Sequence, residues 1–183
     1  QRYFPVKNQN GELLPFFVTV RNGNEKGIET VARGNEKVLR ARLADAAFFY
    51  REDQTKEIAD CLKKLETIVY HEEIGTLAEK VSRVRSLTNS MSDALHVDAE
   101  TKAFADRTAE IAKFDLVTGM VYEFPELQGY MGERYARIKG ENEAVAKAID
   151  EHYMPRHAED NVPASEVGAI VSVAEKMDTI VAN

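Results

Sequence analysis

Four cations crowd one short stretch of this sequence: Arg33, Lys37, Arg40 and Arg42, within VARGNEKVLRARLADA. On a helix, positions 33, 37 and 40 share one face. Cations fixed along a face are what a phosphate backbone requires of a protein partner. Lys80, Arg83 and Arg85 form a second concentration, with Lys80 a candidate to point inward. Arg134, Arg137 and Lys139 form a third, beside Tyr130 and Tyr135. Those two rings would either stack on an unpaired base or pack between helices. The plainer alternative for each cluster is a solvated helix face or an ion pair within the chain. Lys and Arg total 24 against 31 Asp and Glu, a formal charge of −7. Attraction to a polyanion is therefore not a property of the whole chain, and any nucleic-acid contact must be local.

Other reactive side chains make no recognisable constellation. The histidines are His71, His96, His152 and His157, and none lies in an HExxH pattern. His71-Glu72-Glu73 reads as the start of a helix, where acidic residues complement the dipole, rather than as a ligand set. His152 and His157 flank Pro155 and meet only if that loop converges, while Glu159 and Asp160 read as a solvated loop. Cys61 is the sole cysteine. It excludes an intrachain disulfide framework, fits a reducing cytoplasm, and lies beside Ile58, Leu62 and Leu65 as a packing residue. There is no GxGxxG, Walker loop, nucleophile elbow or CxxC. Neither a catalytic residue nor a metal ligand is assigned. No apolar run approaches the roughly 20 residues of a membrane span, and the N-terminus has no signal-peptide pattern. Starting at Gln1 and stopping in MDTIVAN, the sequence reads as a piece of a longer protein.

Two textures must position these residues. RYFPV and LLPFFVTV read as two strands around NQNG, with Asn10-Gly11 supplying the positive φ angles of a tight hairpin turn. Pro5 and Pro15 suit edges. A lone hairpin is marginal, so this piece is expected to belong to a larger sheet. From Ile28 onward the pattern is helical. One helix covers Gly34 to Glu52, with Leu39, Leu43, Ala46 and Tyr50 as its buried stripe, and another covers Lys56 to Tyr70. A long amphipathic helix carries Ile74, Leu77, Val81, Val84, Leu87 and Met91 on one side. Asp98 caps the next helix, and IAKFDLVTGMV reads as a centrally buried helix ending near Gly119. Pro125 opens a turn-rich segment whose Gly129 admits another part of the chain. Asn142 to Tyr153 is helical, and Ser165 caps the last helix.

The blocks RYFPV, FVTVRNG, GNEKVLRARLADAAFFYRED, IGTLAEK, KFDLVTGMVYEFPELQGYMGERYA, AIDEHYMPR and AEKMDTIVA resemble, in this order, the β subunit of the bacterial two-subunit glycyl-tRNA synthetase. The similarity runs over essentially the whole chain. The resemblance implies a mainly α fold, with a helical bundle similar to the HD phosphohydrolases and a short N-terminal β-hairpin. Residues 1–52 would close a preceding β-rich domain and residues 53–183 would form the HD-like domain. It implies glycine tRNA, at its acceptor arm, and the synthetase α subunit as partners, in the cytoplasm, with no membrane and no DNA. Glycine activation, with ATP and Mg, would belong to the α subunit, leaving this segment catalytically inactive and without a cofactor. The tRNA-contacting candidates are Arg33, Lys37, Arg40, Arg42, Arg83, Arg85, Arg134 and Arg137.

The likeness to HD enzymes can be carried over by position. Lys80 stands where a helix histidine would be, and Phe114-Asp115 replaces the His-Asp pair. Glu175, followed by Asp178, takes the final acidic position, and His152 lies near an additional histidine of some members. An ammonium group has no lone pair for a cation, so Lys80 is expected to neutralise Asp115 or Glu175 in a metal's place. The expectation is a degenerate, metal-free fold. Two rivals are an active metal-dependent phosphohydrolase acting on nucleotides and a pure assembly module.

Overall fold

A five-residue loop, not a two-residue turn, joins the first two strands. In the computed structural model, which describes residues 3–182, β1 (Phe4–Lys7) pairs antiparallel with β2 (Leu13–Val18). Lys7 faces Leu13 across the ladder, and the register slips between Pro5 and Lys7. The Asn8 side chain accepts from the amides of Asn10 and Glu12 at 3.0 and 2.9 Å. That Asx geometry displaces the expected Asn-Gly turn, because only Gly11 takes positive φ, at +81°. Arg2, assigned to the first strand from sequence, lies outside the described residues. Leu13, Phe16 and Val20 are 66–81 % exposed, so the hairpin leaves apolar groups uncovered.

The chain divides into two compact units, Gln1–Arg42 and Leu43–Asn183, with the division inside the long helix α1 (Ile28–Asp53). α1 begins six residues before Gly34, which its pattern takes as the start. The expected buried stripe is a correction: Leu43 is 62 % exposed and Tyr50 38 %, with Leu39 and Ala46 half-buried. Period alone places residues on a face but does not supply a partner to cover it.

The second unit is mainly α. After α2 (Ile58–Leu65) comes a small antiparallel pair, β3 (Val69–His71) with β4 (Gly75–Thr76), then α3 (Leu77–Ala94) and α4 (Ala99–Ile111). The helix expected through Tyr70 stops at Leu65, and His71 ends a strand rather than starting a helix. The real start is Thr76, whose side chain accepts from the Glu79 amide while Glu79 answers to the Thr76 amide, a capping box. Asp98 caps α4 through the Thr101 amide at 2.9 Å, as its sequence position requires.

IAKFDLVTGMV is not one helix. α4 ends at Ile111, Phe114–Val117 is a 3-10 turn, and Thr118 caps the short α5 (Gly119–Glu123). A second 3-10 turn at Pro125–Leu127 leads through Gly129, at φ +82°, into α6 (Tyr130–Ile138). Asn142 caps α7 (Glu143–Glu151) through the Ala144 amide. Ser165 precedes α8 (Glu166–Ala182) and accepts from the Gly168 amide at 2.9 Å.

Two apolar clusters hold this unit. One joins Ile58, Cys61, Ile111, Phe114, Met131, Tyr135, Val145 and Ile149. The other joins Val84, Ala105, Ala109, Ala148, Ile170, Val171 and Ala174, where α3, α4, α7 and α8 meet through small side chains. Each fully buried aliphatic such as Ile149 contributes about 2 kcal/mol. On α3 the deepest stripe is Lys80, Val84, Thr88 and Ser92, one step round from the apolar stripe read in the sequence. Leu77, Val81, Leu87 and Met91 flank it, half-buried.

Candidate functional site

Charge is buried where α3, α7 and α8 meet the end of α4. The Lys80 ammonium is 2 % exposed and lies 2.9 Å from Asp178 Oδ2 and 3.4 Å from Glu175 Oε1. Thr179 takes another of its protons at 3.0 Å. Arg83 donates from Nε to the second oxygen of Asp178 at 2.7 Å. Burial alone would raise the Asp178 pKa, but hydrogen bonds from Arg83 and Lys80 outweigh it and hold the carboxyl below its ordinary range. Burial likewise opposes the Lys80 charge, yet Asp178 and Glu175 raise its pKa. Of the two expected partners for Lys80, Glu175 is met and Asp115 is not among its ion pairs.

A second cation shares this cluster. Lys113, in the turn after α4, is 6 % exposed and lies 3.1 Å from Glu175 Oε1. Its Nζ is 2.9 Å from His152 Nε2 and 4.1 Å from the centre of the Tyr153 ring. His152 is fully buried, and burial, followed by the neighbouring Lys113 charge, pushes its pKa well down. His157 is exposed and the two histidines do not converge. Asp115 is fully buried; Oδ2 accepts from the Gly129 amide at 2.7 Å, while Oδ1 has no partner. Burial raises its pKa to about 6. Phe114 beside it belongs to the apolar core. Among the described residues, no group of three or more His, Cys, Asp and Glu side chains is arranged to hold a metal ion.

The surface cations sort into two kinds. Arg33, Lys37 and Arg40 are exposed along α1, without an ion pair among the described residues. Arg42 is exposed beside them. The others are engaged within the chain. Arg85 grips Asp106 at 2.7 Å and Glu110 at 3.0 Å. Arg137 bonds Glu133 and Glu143, and Lys139 bonds Glu57 at 3.0 Å. Arg134 lies over the Tyr130 ring, 4.4 Å from its centre. Tyr130 is 44 % exposed, whereas Tyr135 is 3 % exposed, stacked on Tyr50 and donating to Asp53 at 3.1 Å. Of the two readings for Tyr135, packing is the one realised. Tyr122, absent from the sequence reading, is 84 % exposed.

The glycyl-tRNA synthetase beta subunit model matches residues 1–183. The chain belongs to this family. It is 62 % identical over 180 residues to the glycine–tRNA ligase beta subunit of Bacillus subtilis (strain 168), covering 98 % of this chain. It is 59 % identical over 182 residues to that of Halalkalibacterium halodurans, covering the whole chain, and 56 % identical over 181 residues to that of Leuconostoc citreum, covering 99 %. In each case the chain spans 26 % of the relative's length. The relatives are, by name, glycine–tRNA ligase beta subunits, and this glycyl-tRNA synthetase beta segment matches about a quarter of their length. No described helix is long and apolar enough to cross a membrane.

Sequence reasoning missed three buried charges of the segment, Lys113, Asp53 and Glu151. Lys113 was legible as the one cation inside the apolar run IAKFDLV, a pattern that demands a buried partner. Asp53 closes α1, and its local partner Lys56 does not reveal that it is buried, because the two amides it caps lie 66 and 67 residues away.

Proposed function

We propose that this segment serves glycyl-tRNA synthesis as a tRNA-binding and architectural part of the cytoplasmic synthetase, while glycine activation with ATP and Mg takes place on the α subunit. The observation that carries the reading is the exposed row Arg33, Lys37 and Arg40, on successive turns of α1. It spans about 10 Å along the helix axis and meets a phosphate backbone with cations that have no ion pair among the described residues. Arg42 is exposed on another face of the same helix. Arg83, Arg85, Arg134 and Arg137 are held by partners within the fold, so their contribution to tRNA is to position the surface, with Tyr130 and Arg134 as the exposed stacking pair. Residues 1–52 then act as the end of a β-rich domain and residues 53–183 as a degenerate HD-like domain.

Fluorescence anisotropy of glycine tRNA with the full-length beta subunit, across a salt series, tests this. Binding should weaken steeply with salt, and Arg33→Ala, Lys37→Ala and Arg40→Ala should each flatten that dependence. Unchanged slopes would remove α1 from the interface. The segment on its own should not support glycine-dependent ATP–pyrophosphate exchange; exchange by it would reverse the division of labour. A second reading, assembly alone, is favoured by the ion pairs of Arg85 and Arg137, and unchanged tRNA affinity together with lost α-subunit association would establish it.

A further inference from the structure

The surroundings of Lys113 have a chemistry of their own, independent of tRNA. His152 Nδ1 lies 2.6 Å from the Ile149 carbonyl oxygen, which can only accept. The ring proton therefore sits on Nδ1, and Nε2 presents a lone pair to Lys113 Nζ at 2.9 Å. Glu175 Oε1 closes a second side at 3.1 Å and the Tyr153 ring face a third at 4.1 Å. These separations are those of N–H hydrogen bonds and a cation–π contact. Bonds from a divalent metal would be near 2.0–2.2 Å and would require more ligands. A neutral imidazole, a carboxylate and an aromatic face together form a receptor for a primary ammonium.

We propose that His152, Glu175 and Tyr153 form an ammonium-binding cage, filled from within by Lys113, which ties the turn after α4 to α7 and α8. Lys80 and Arg83 pair with Asp178, and Lys80 also lies 3.4 Å from Glu175 Oε1, so Lys113 shares the Glu175 carboxylate with a second cation. Emptied by substitution, it is a site for a small primary alkylammonium.

The test uses the full-length beta subunit carrying Lys113→Ala, with hydrogen exchange read by mass spectrometry in α7 and α8. Exchange there should accelerate at least tenfold over the unsubstituted protein. Methylammonium chloride should restore most of the protection, and tetramethylammonium chloride, which has no N–H, should not at equal ionic strength. Equal rescue by both salts, rescue by neither, or unchanged exchange without amine would overturn the proposal. Should the variant not fold, neutron diffraction from the unsubstituted subunit decides. Three deuterons on Lys113 Nζ, one on His152 Nδ1 and none on Nε2 are expected. A neutral Lys113, or a deuteron on Nε2, would overturn the cage.

Discussion

Asp53, the last residue of α1, caps a helix that starts at Gly119. Its Oδ1 and Oδ2 accept from the amides of Gly119 and Met120, each at 2.8 Å, and the carboxylate also takes the Tyr135 hydroxyl and the Lys56 ammonium. A carboxylate at two free amides satisfies donors that a helix start always leaves over. Asp53→Ala strands those amides and the Tyr135 hydroxyl in a buried site, at a cost of about 3 kcal/mol. Urea denaturation followed in the helical unit should register it, and a loss under about 1 kcal/mol would show that water replaces the carboxylate.

Asp115 makes stability depend on pH in an unusual direction for an acid. Its pKa is raised to about 6 in the folded protein, against about 3.9 unfolded. The folded state therefore holds the proton more tightly, and ionisation works against folding as pH rises from about 4 to about 6. The penalty reaches about 3 kcal/mol at most. Asp115→Asn removes the titration, so the variant's stability relative to the unsubstituted protein should climb across that interval and level above it. A constant difference from pH 4 to pH 7 in denaturant titrations would contradict the assignment.

Gly129 is required by conformation and by space. At φ +82°, a Cβ would also stand 2.7 Å from the Tyr153 ring and 3.0 Å from Asp150 Oδ1. Gly129→Ala should therefore destabilise by about 2 kcal/mol or more. Because the Gly129 amide donates to Asp115 and favours its ionised form, loosening that bond should raise the Asp115 pKa further and strengthen the pH dependence just described. Calorimetry at pH 5 and pH 7 reads both effects.

The two kinds of cation should separate in one experiment. Each phosphate that α1 no longer neutralises lowers the salt slope of tRNA binding by roughly 0.7–0.9. Arg85→Ala and Arg137→Ala break intrachain pairs instead, and should alter the slope little while lowering stability by about 1 kcal/mol or less. An Arg85→Ala slope change as large as that of Arg40→Ala would place α3 in the interface.

Local signals in the sequence were realised where local physics decides. Asp98, Asn142 and Ser165 cap the helices they precede, and Lys80 does turn inward to Glu175. What failed depended on distant partners. The run IAKFDLVTGMV has a helix's composition, but Asp53 draws Gly119 and Met120 into a new helix start, and Asp115 bonds Gly129 across the bend. The β3–β4 pair is too short for alternation to reveal. Lys113 escapes notice because the apolar residues around it dominate the pattern, while the charge they bury carries the information. Leu43 and Tyr50 repeat at helical spacing, a pattern that says which side chains travel together and nothing about what lies opposite.

Because α8 supplies both Glu175 and Asp178, the acids that answer Lys80, Arg83 and Lys113 are made last. Lys80 and Asp178 are 98 residues apart. A ribosome adding about 5–20 residues per second exposes the cations several seconds before their counterions. Until then α3 cannot bury Lys80 without leaving a charge unanswered, so closure of the bundle waits for the final helix. A nascent chain halted before Glu175 is expected to leave Lys80 and Lys113 without the carboxylates that pair with them in the complete segment.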